Sequence, residues 1–341
     1  MKLEYIFNFL VMFFIAILIL IFVLINVMIL IYLERKISAR FQSRLGPMRT
    51  AWPKNFHGWA QPIADAIKML IKEDIIPKNA DKIVFNLAPV LVMTVSYLLY
   101  IVIPFSKGEK QNFIVKDLNI GVLYLIAISS LTVIGIVMGG WASNNKYSLF
   151  GALRSAAQIV SYEIPLVLSI LVIVMFTGSL SMVKIVEAQN KIPFILSFPA
   201  GTIAFLIYLI SATAELNRVP FDIPEGESEI VAGYNTEYSG MKFAFFFLAE
   251  FSNMFAISLI CATLFLGGWQ GPTLPFIPPE ILRFFYLMIK CYFIVFLLMW
   301  FRWTYPRVRV DQLMEFSWKF LIPLSFLNLG IAGIFMLIKG V

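Results

Sequence analysis

Glutamates set inside long apolar runs are the residues of this chain best placed to do chemistry. Glu163 lies about a dozen residues into the run 151–178, and Glu250 some nine residues into 241–267. An ionisable side chain within a membrane span costs about 2.5–3.5 kcal/mol on insertion scales and is a functional candidate by default. Pro165 removes one backbone hydrogen bond in the turn that holds Glu163. Arg154 is the nearest cation in sequence, but nine helical residues turn the two side chains to opposite faces. A proton-carrying Glu163 is the favoured reading; a structural hydrogen bond between helices is the competing one. Glu215, at the end of the run 194–214, extends the acidic series.

A second cluster follows directly. Residues 215–237 carry Glu215, Asp222, Glu225, Glu227, Glu229 and Glu237 against the single base Arg218. Crowded carboxylates cannot all ionise easily, so some should exchange protons near neutral pH. In a helical segment Glu225 and Glu229 share a face and Glu227 points elsewhere. Two prolines, two glycines and apolar neighbours look built to pack or re-enter the membrane; the bland alternative is a solvated acidic loop that binds a cation. Together, Glu163, Glu215, Glu225, Glu227, Glu229 and Glu250 can form an acidic path from the cytoplasmic face toward mid-membrane. Nothing in the chain would drive such a path. One His and two Cys cannot supply a zinc site, a haem or an iron–sulfur cluster. No phosphate-binding or dinucleotide-binding glycine motif occurs in a strand–helix context.

These residues need elements to position them, and composition says which. Of 341 residues, 60% are hydrophobic and 14% charged, with a mean hydropathy of +0.86. Ordinary soluble domains carry about 25% charge. A soluble enzyme is thereby excluded, and an all-α polytopic membrane protein is expected, a single transmembrane domain over 1–341. A spanning helix needs roughly 20 apolar residues. Eight spans are expected, near 5–33, 83–104, 118–141, 151–178, 194–214, 241–267, 284–303 and 320–338. The first run reads as a retained helix and not a cleaved leader. The loops after the odd-numbered spans hold 18 Lys and Arg, the opposite side nine. That bias puts the odd loops in the cytoplasm and both termini outside. Two of these loops are patterned, 34–82 and the acidic loop 215–241. Within 34–82, Pro62 opens a segment, about 61–73, with Ile63, Ile67, Leu70 and Ile71 at helical spacing and Asp65, Lys68 and Lys72 on another face. An amphipathic surface helix is expected there. His57 reads as a loop residue, and Cys261 and Cys291 as packing residues.

Ordered stretches then carry a resemblance. They are Glu34-Arg35-Lys36; Gln61-Pro62-Ile63-Ala64-Asp65 with Lys68 and Lys72-Glu73; Gly140-Trp141-Ala142-Ser143-Asn144-Asn145-Lys146-Tyr147; Gly151-Ala152-Leu153-Arg154-Ser155-Ala156-Ala157-Gln158; and Ser161-Tyr162-Glu163. Further on come Ala214-Glu215-Leu216-Asn217-Arg218-Val219-Pro220-Phe221-Asp222, Val231-Ala232-Gly233-Tyr234-Asn235, Glu237-Tyr238, and Pro306-Arg307 with Asp311-Gln312-Leu313-Met314. In this order, on eight spans, the chain resembles the family of the NADH-quinone oxidoreductase H subunit, or NADH-ubiquinone oxidoreductase chain 1, of respiratory complex I. The resemblance implies a subunit that joins a peripheral redox arm to a membrane arm, admits quinone, and starts the acid path of a proton-translocating complex. It implies that Glu34, Arg35 and Asp65 border a quinone tunnel, with Arg218, Phe221 and Asp222 in the loop beside it. It implies Glu163, Glu215, Glu225, Glu227, Glu229 and Glu250 as the first relay. It further implies that quinone (ubiquinone or menaquinone) is substrate, that NADH, FMN and iron–sulfur clusters belong to partner subunits, and that no cofactor is bound here. The implied partners are the peripheral quinone-site subunits, the small membrane subunits and the lipid bilayer, with no nucleic acid. Two departures stand out. The stretch 46–62 is longer than usual, with an extra turn at Pro53-Lys54-Asn55-Phe56, and 118–141 lacks the carboxylate that some relatives carry. The alternatives are the homologous subunit of a membrane-bound hydrogenase and a stand-alone secondary transporter, although no internal repeat supports the latter. The expected site is the bacterial cytoplasmic membrane, with the mitochondrial inner membrane as the alternative.

Overall fold

The computed structural model describes residues 2–50, 57–108, 112–224, 226–272 and 278–339, with only the backbone at 2–9, 112, 227, 228 and 339. The expected all-α membrane architecture holds. Among the described residues, seven helices are long and apolar enough to cross a membrane. They are α1 (Lys2–Phe41), α3 (Lys82–Leu98, extended by a tighter turn to Ile101), α4 (Gly121–Ala142), α5 (Lys146–Thr177), α9 (Gly240–Phe265), α10 (Pro279–Thr304) and a composite last helix, Val310–Ile338. The last begins as α11 (Val310–Glu315), passes through a π-helical stretch at Phe316–Leu321, and continues as α12 (Ile322–Lys339). The remaining expected span, 194–214, is the shorter apolar α7 (Ala200–Glu215). Its 16 residues rise about 24 Å, less than a hydrocarbon core of about 30 Å. Pro193 and Pro199 precede it, and neither can donate a helical hydrogen bond.

Other boundaries shift for identifiable reasons. α1 runs eight residues past the expected Leu33, to Phe41, because Glu34 finds two cationic partners, Arg218 and Arg302, and so does not end the helix. α5 starts at Lys146 because the Asn145 side chain caps it, accepting from the Tyr147 N–H at 2.9 Å. The surface helix α2 spans Gln61–Ile71 with Pro62 in its first turn. Its Ile63, Ile67, Leu70 and Ile71 are exposed. Two short helices, α6 (Met182–Ala188) and α8 (Glu227–Ile230), fill connections. The antiparallel ribbon β1 (Ser106–Lys107) and β2 (Asn112–Phe113) pairs Ser106 with Phe113. His57 sits in an exposed turn whose carbonyl accepts from Tyr32 Oη at 2.9 Å. Both cysteines are buried and free.

α9 is the most enclosed of the seven, and the main core gathers Leu30, Tyr100, Ile173, Tyr208, Phe255 and Phe265 around it. Faces turned outward are apolar too, as Phe13, Phe14, Ile289, Phe293, Leu327 and Ile334 show. Lipid offers no hydrophobic drive between helices, so close approach of small residues matters more. A Cβ at Gly140 would lie 2.8 Å from the Ser148 carbonyl, and one at Gly151 would lie 2.5 Å from Gly233 Cα. These contacts fix α4 against α5, and α5 against the loop after α8.

Candidate functional site: a buried guanidinium at a cavity wall

The structure gathers the charged candidates into two neighbouring groups. The first centres on Arg218, whose side chain is 2% exposed. Its Nη1 donates to Glu34 Oε2 at 2.9 Å and its Nε to Glu250 Oε1 at 3.0 Å. Arg302 Nη1 takes the other oxygen of Glu34. The guanidinium also lies 4.7 Å from the centre of the Phe251 ring, a cation–π contact. α1 and α9 thus meet on one residue of the loop after α7, and the end of α10 joins them through Glu34. Burial works against the charge of Arg218, but Glu34 and Glu250 hold its pKa above the ordinary arginine range. A buried ion network of this kind is poor as a device for stability alone, because desolvation offsets much of the attraction.

That network forms one wall of a cavity of about 430 Å³. Arg35, Asp222 and Asn217 also line it, together with an apolar, aromatic lining that includes Phe243, Phe247 and Trp303. Arg35 pairs with Asp65 of α2 at 2.5 Å, and Gln61 Nε2 steadies Asp65 at 3.0 Å. Asp222 has Arg307 at 3.7 Å. Phe221 turns away, its ring 5.7 Å from that of Tyr162, while its carbonyl accepts from Gln158 at 2.8 Å.

The second group is built on α4, α5 and the end of α7. Glu163 accepts a hydrogen bond from Ser130 of α4. Glu215 borders a cavity of about 50 Å³ with Ser129, Tyr208 and Asn253, close enough to Glu163 for the two carboxylates to repel. Between the groups runs the segment 215–218. Asn217 adopts a left-handed backbone (φ 52°) just past the end of α7, where its N–H reaches the Ala214 carbonyl at 3.0 Å. Its side chain donates to Ser155 at 2.9 Å. This sharp turn sends Glu215 to the small cavity and Arg218 to the large one.

Arg154 pairs not with Glu163 but with Glu229, at 2.5 Å, and the Glu229 side chain is 52% exposed. The rotational argument from sequence therefore agrees with the structure, and Glu229 stands apart from both groups. Glu237 accepts from Asn145 at 2.5 Å. Glu225, and the extra turn expected at 53–56, lie outside the described residues, as does the side chain of Glu227. Sequence reasoning missed Arg302 as a site residue, although it is a charge inside the expected span 284–303, and that was its signal. It also missed Ser129, Ser130, Asn217 and the aromatic wall, which carry no signal of their own in an apolar chain.

Similarity to known proteins extends over nearly the whole length. The family described as NADH dehydrogenase matches residues 14–333. A Dehalococcoides mccartyi protein named as the H subunit of NADH-quinone oxidoreductase is 55% identical over 308 residues, covering 90% of this chain and 82% of its own. A Syntrophobacter fumaroxidans protein, named as H subunit 2 of NADH-quinone oxidoreductase, is 48% identical over 91% of each chain. One from Bacillus mycoides, bearing the same name as the first, is 47% identical over 96% of this chain and 94% of its own.

Proposed function

This chain belongs to the NADH dehydrogenase family that contains the NADH-quinone oxidoreductase H subunits, and from that membership we propose that it admits quinone and begins the coupling of its reduction to proton translocation. It is a membrane subunit of an NADH-quinone oxidoreductase and works with other subunits of that complex. The quinone reaches the 430 Å³ cavity by way of α1 and α2, where the Arg35–Asp65 pair ties the two helices together. The aromatic wall takes the ring and tail, and the charged wall faces the polar head. A partner's iron–sulfur cluster supplies two electrons, and two protons complete the quinol. The chain itself holds no redox group. NADH and FMN chemistry lies with the partners.

The observation that carries this reading is Arg218, a full positive charge at the cavity wall held between two carboxylates from different helices. Negative charge arriving on a quinone competes with Glu34 and Glu250 for that guanidinium. Whichever carboxylate is released then attracts a proton. Three residues away, Glu215 and its neighbour Glu163 receive the disturbance and pass it toward the pumping subunits, which makes this chain a coupling element. The fold, the relatives' names and the bias of bases support the bacterial cytoplasmic membrane, with both termini outside.

Glu163→Gln and Glu250→Gln in the assembled complex test the relay. Membrane vesicles should keep NADH oxidation by an artificial acceptor while losing most quinone reduction and proton pumping. Full quinone-linked activity and pumping in both variants would sink the assignment.

A further inference from the structure

Ser129 and Ser130 are consecutive residues of α4, a helix with no carboxylate of its own. They lie beside two different acids. Ser130 Oγ donates to Glu163 of α5. Ser129 and Glu215 of α7 line the same 50 Å³ cavity. Each hydroxyl also faces the Ile126 carbonyl, at 3.0 Å from Ser129 and 2.9 Å from Ser130. A serine has one proton and can rotate it. Ser130 therefore sits between a carboxylate and a resting carbonyl, the setting a proton-passing hydroxyl requires, and Ser129 shares that carbonyl and opens on the cavity that Glu215 borders. Asn253, three residues beyond Glu250 on α9, lines the same cavity. Its Oδ1 is buried with no hydrogen-bond partner among the described residues, so it can accept from a water there. On a scale of roughly 10–15 Å³ per water, the cavity has room for a few.

We propose that Ser129 and Ser130 form a hydroxyl bridge that passes a proton between Glu215 and Glu163. The bridge rests on the relay reading above and deepens it. In the forward direction the Glu215 carboxyl gives its proton toward Ser129 Oγ. The hydroxyl proton of Ser129 moves on, through a water between the two hydroxyls beside the Ile126 carbonyl they share, to Ser130 Oγ, and the hydroxyl proton of Ser130 goes to Glu163 Oε1. Only O–H bonds change. Glu215 ends as a carboxylate and Glu163 as a carboxylic acid. Both serines end with one proton each and turn back to the Ile126 carbonyl. The bridge carries protons without ever holding net charge, so it crosses the α4–α5–α7 junction without a buried ion of its own.

The test compares Ser129→Ala/Ser130→Ala with Ser129→Thr/Ser130→Thr in the assembled complex in vesicles. The readouts are protons pumped per quinone reduced, quinone-linked turnover in H₂O and D₂O, and NADH oxidation by an artificial acceptor. The double alanine variant should lose pumping and quinone-linked turnover on the order of tenfold or more, with the artificial-acceptor rate kept. Threonine should restore both. A loss that threonine does not repair assigns the serines to packing and overturns the bridge. Parent-like pumping and isotope effect in the double alanine variant overturn it too. If Glu163→Gln loses pumping in that case, the relay stands without the bridge. If Glu163→Gln and Glu215→Gln also pump normally, the relay itself has failed. Should the double alanine variant not assemble, the two single alanine variants decide, each expected to lower pumping several-fold, and parent-like pumping in both overturns the bridge.

Discussion

Arg218 keeps a full positive charge where almost no water reaches it, and three other charged side chains are arranged around that fact. Replacing it with methionine leaves Glu250 without its cation and Glu34 with Arg302 alone. Removing one partner of a buried ion pair costs about 3–5 kcal/mol, so Arg218→Met should lower the thermal midpoint of the complex or block its assembly. Combining it with Glu34→Gln and Glu250→Gln should recover much of the stability but not quinone reduction; recovery of both would show that the charges only hold the fold. Lysine is no substitute, since one ammonium cannot reach both carboxylates with the guanidinium's spread donors. The raised pKa of Arg218 also fixes a sign. Its contribution is fully present below the unfolded arginine value and is lost only as pH rises through the higher folded one. A stability titration should therefore show no step from Arg218 near neutral pH.

At the scale of elements, the site depends on how closely α5 can approach its neighbours. Gly151 lies against the backbone of Gly233, and Gly140 of α4 against the Ser148 carbonyl of α5. A methyl group at Gly151 must push the loop after α8 away from α5. Gly151→Ala should cost about 1–3 kcal/mol by overpacking and lower quinone-linked activity without touching a charged residue. Thermal unfolding of the purified complex, read beside turnover, checks this; an unchanged midpoint would mean the loop yields freely. The π-helical stretch at Phe316–Leu321 belongs to the same scale. It lets Ser317 Oγ reach the Ser161 carbonyl at 2.8 Å, while Tyr162 Oη binds the Leu313 carbonyl at 2.9 Å. The last helix is thus fastened to the turn of α5 that carries Glu163.

For the whole molecule, the distribution of bases makes a prediction about sidedness. Cys261 and Cys291 are buried and leave a silent background for labelling. A membrane-impermeant maleimide should label Lys191→Cys in intact cells and Arg309→Cys only after permeabilisation. The reverse pattern would invert the topology and place the large cavity on the outer side.

Sequence alone determined the solvent this protein lives in, the apolar lengths that become helices, and which charges are too costly to be accidental. Those are local quantities, summed along the chain. Glu163 and Glu250 declared themselves because their neighbours are apolar, and the pattern from Gln61 to Ile71 declared a surface helix by its periodicity. Tertiary structure decided the partners. Arg218 meets Glu34 across 184 residues of chain and Arg302 meets Glu34 across 268, separations at which no spacing rule operates. It likewise turned Phe221 away from the cavity, put Glu229 on the surface with Arg154, and set two ordinary serines each beside an acid. Helix packing sets these pairings, and in a membrane packing follows the shape of whole faces, which no single stretch of sequence contains.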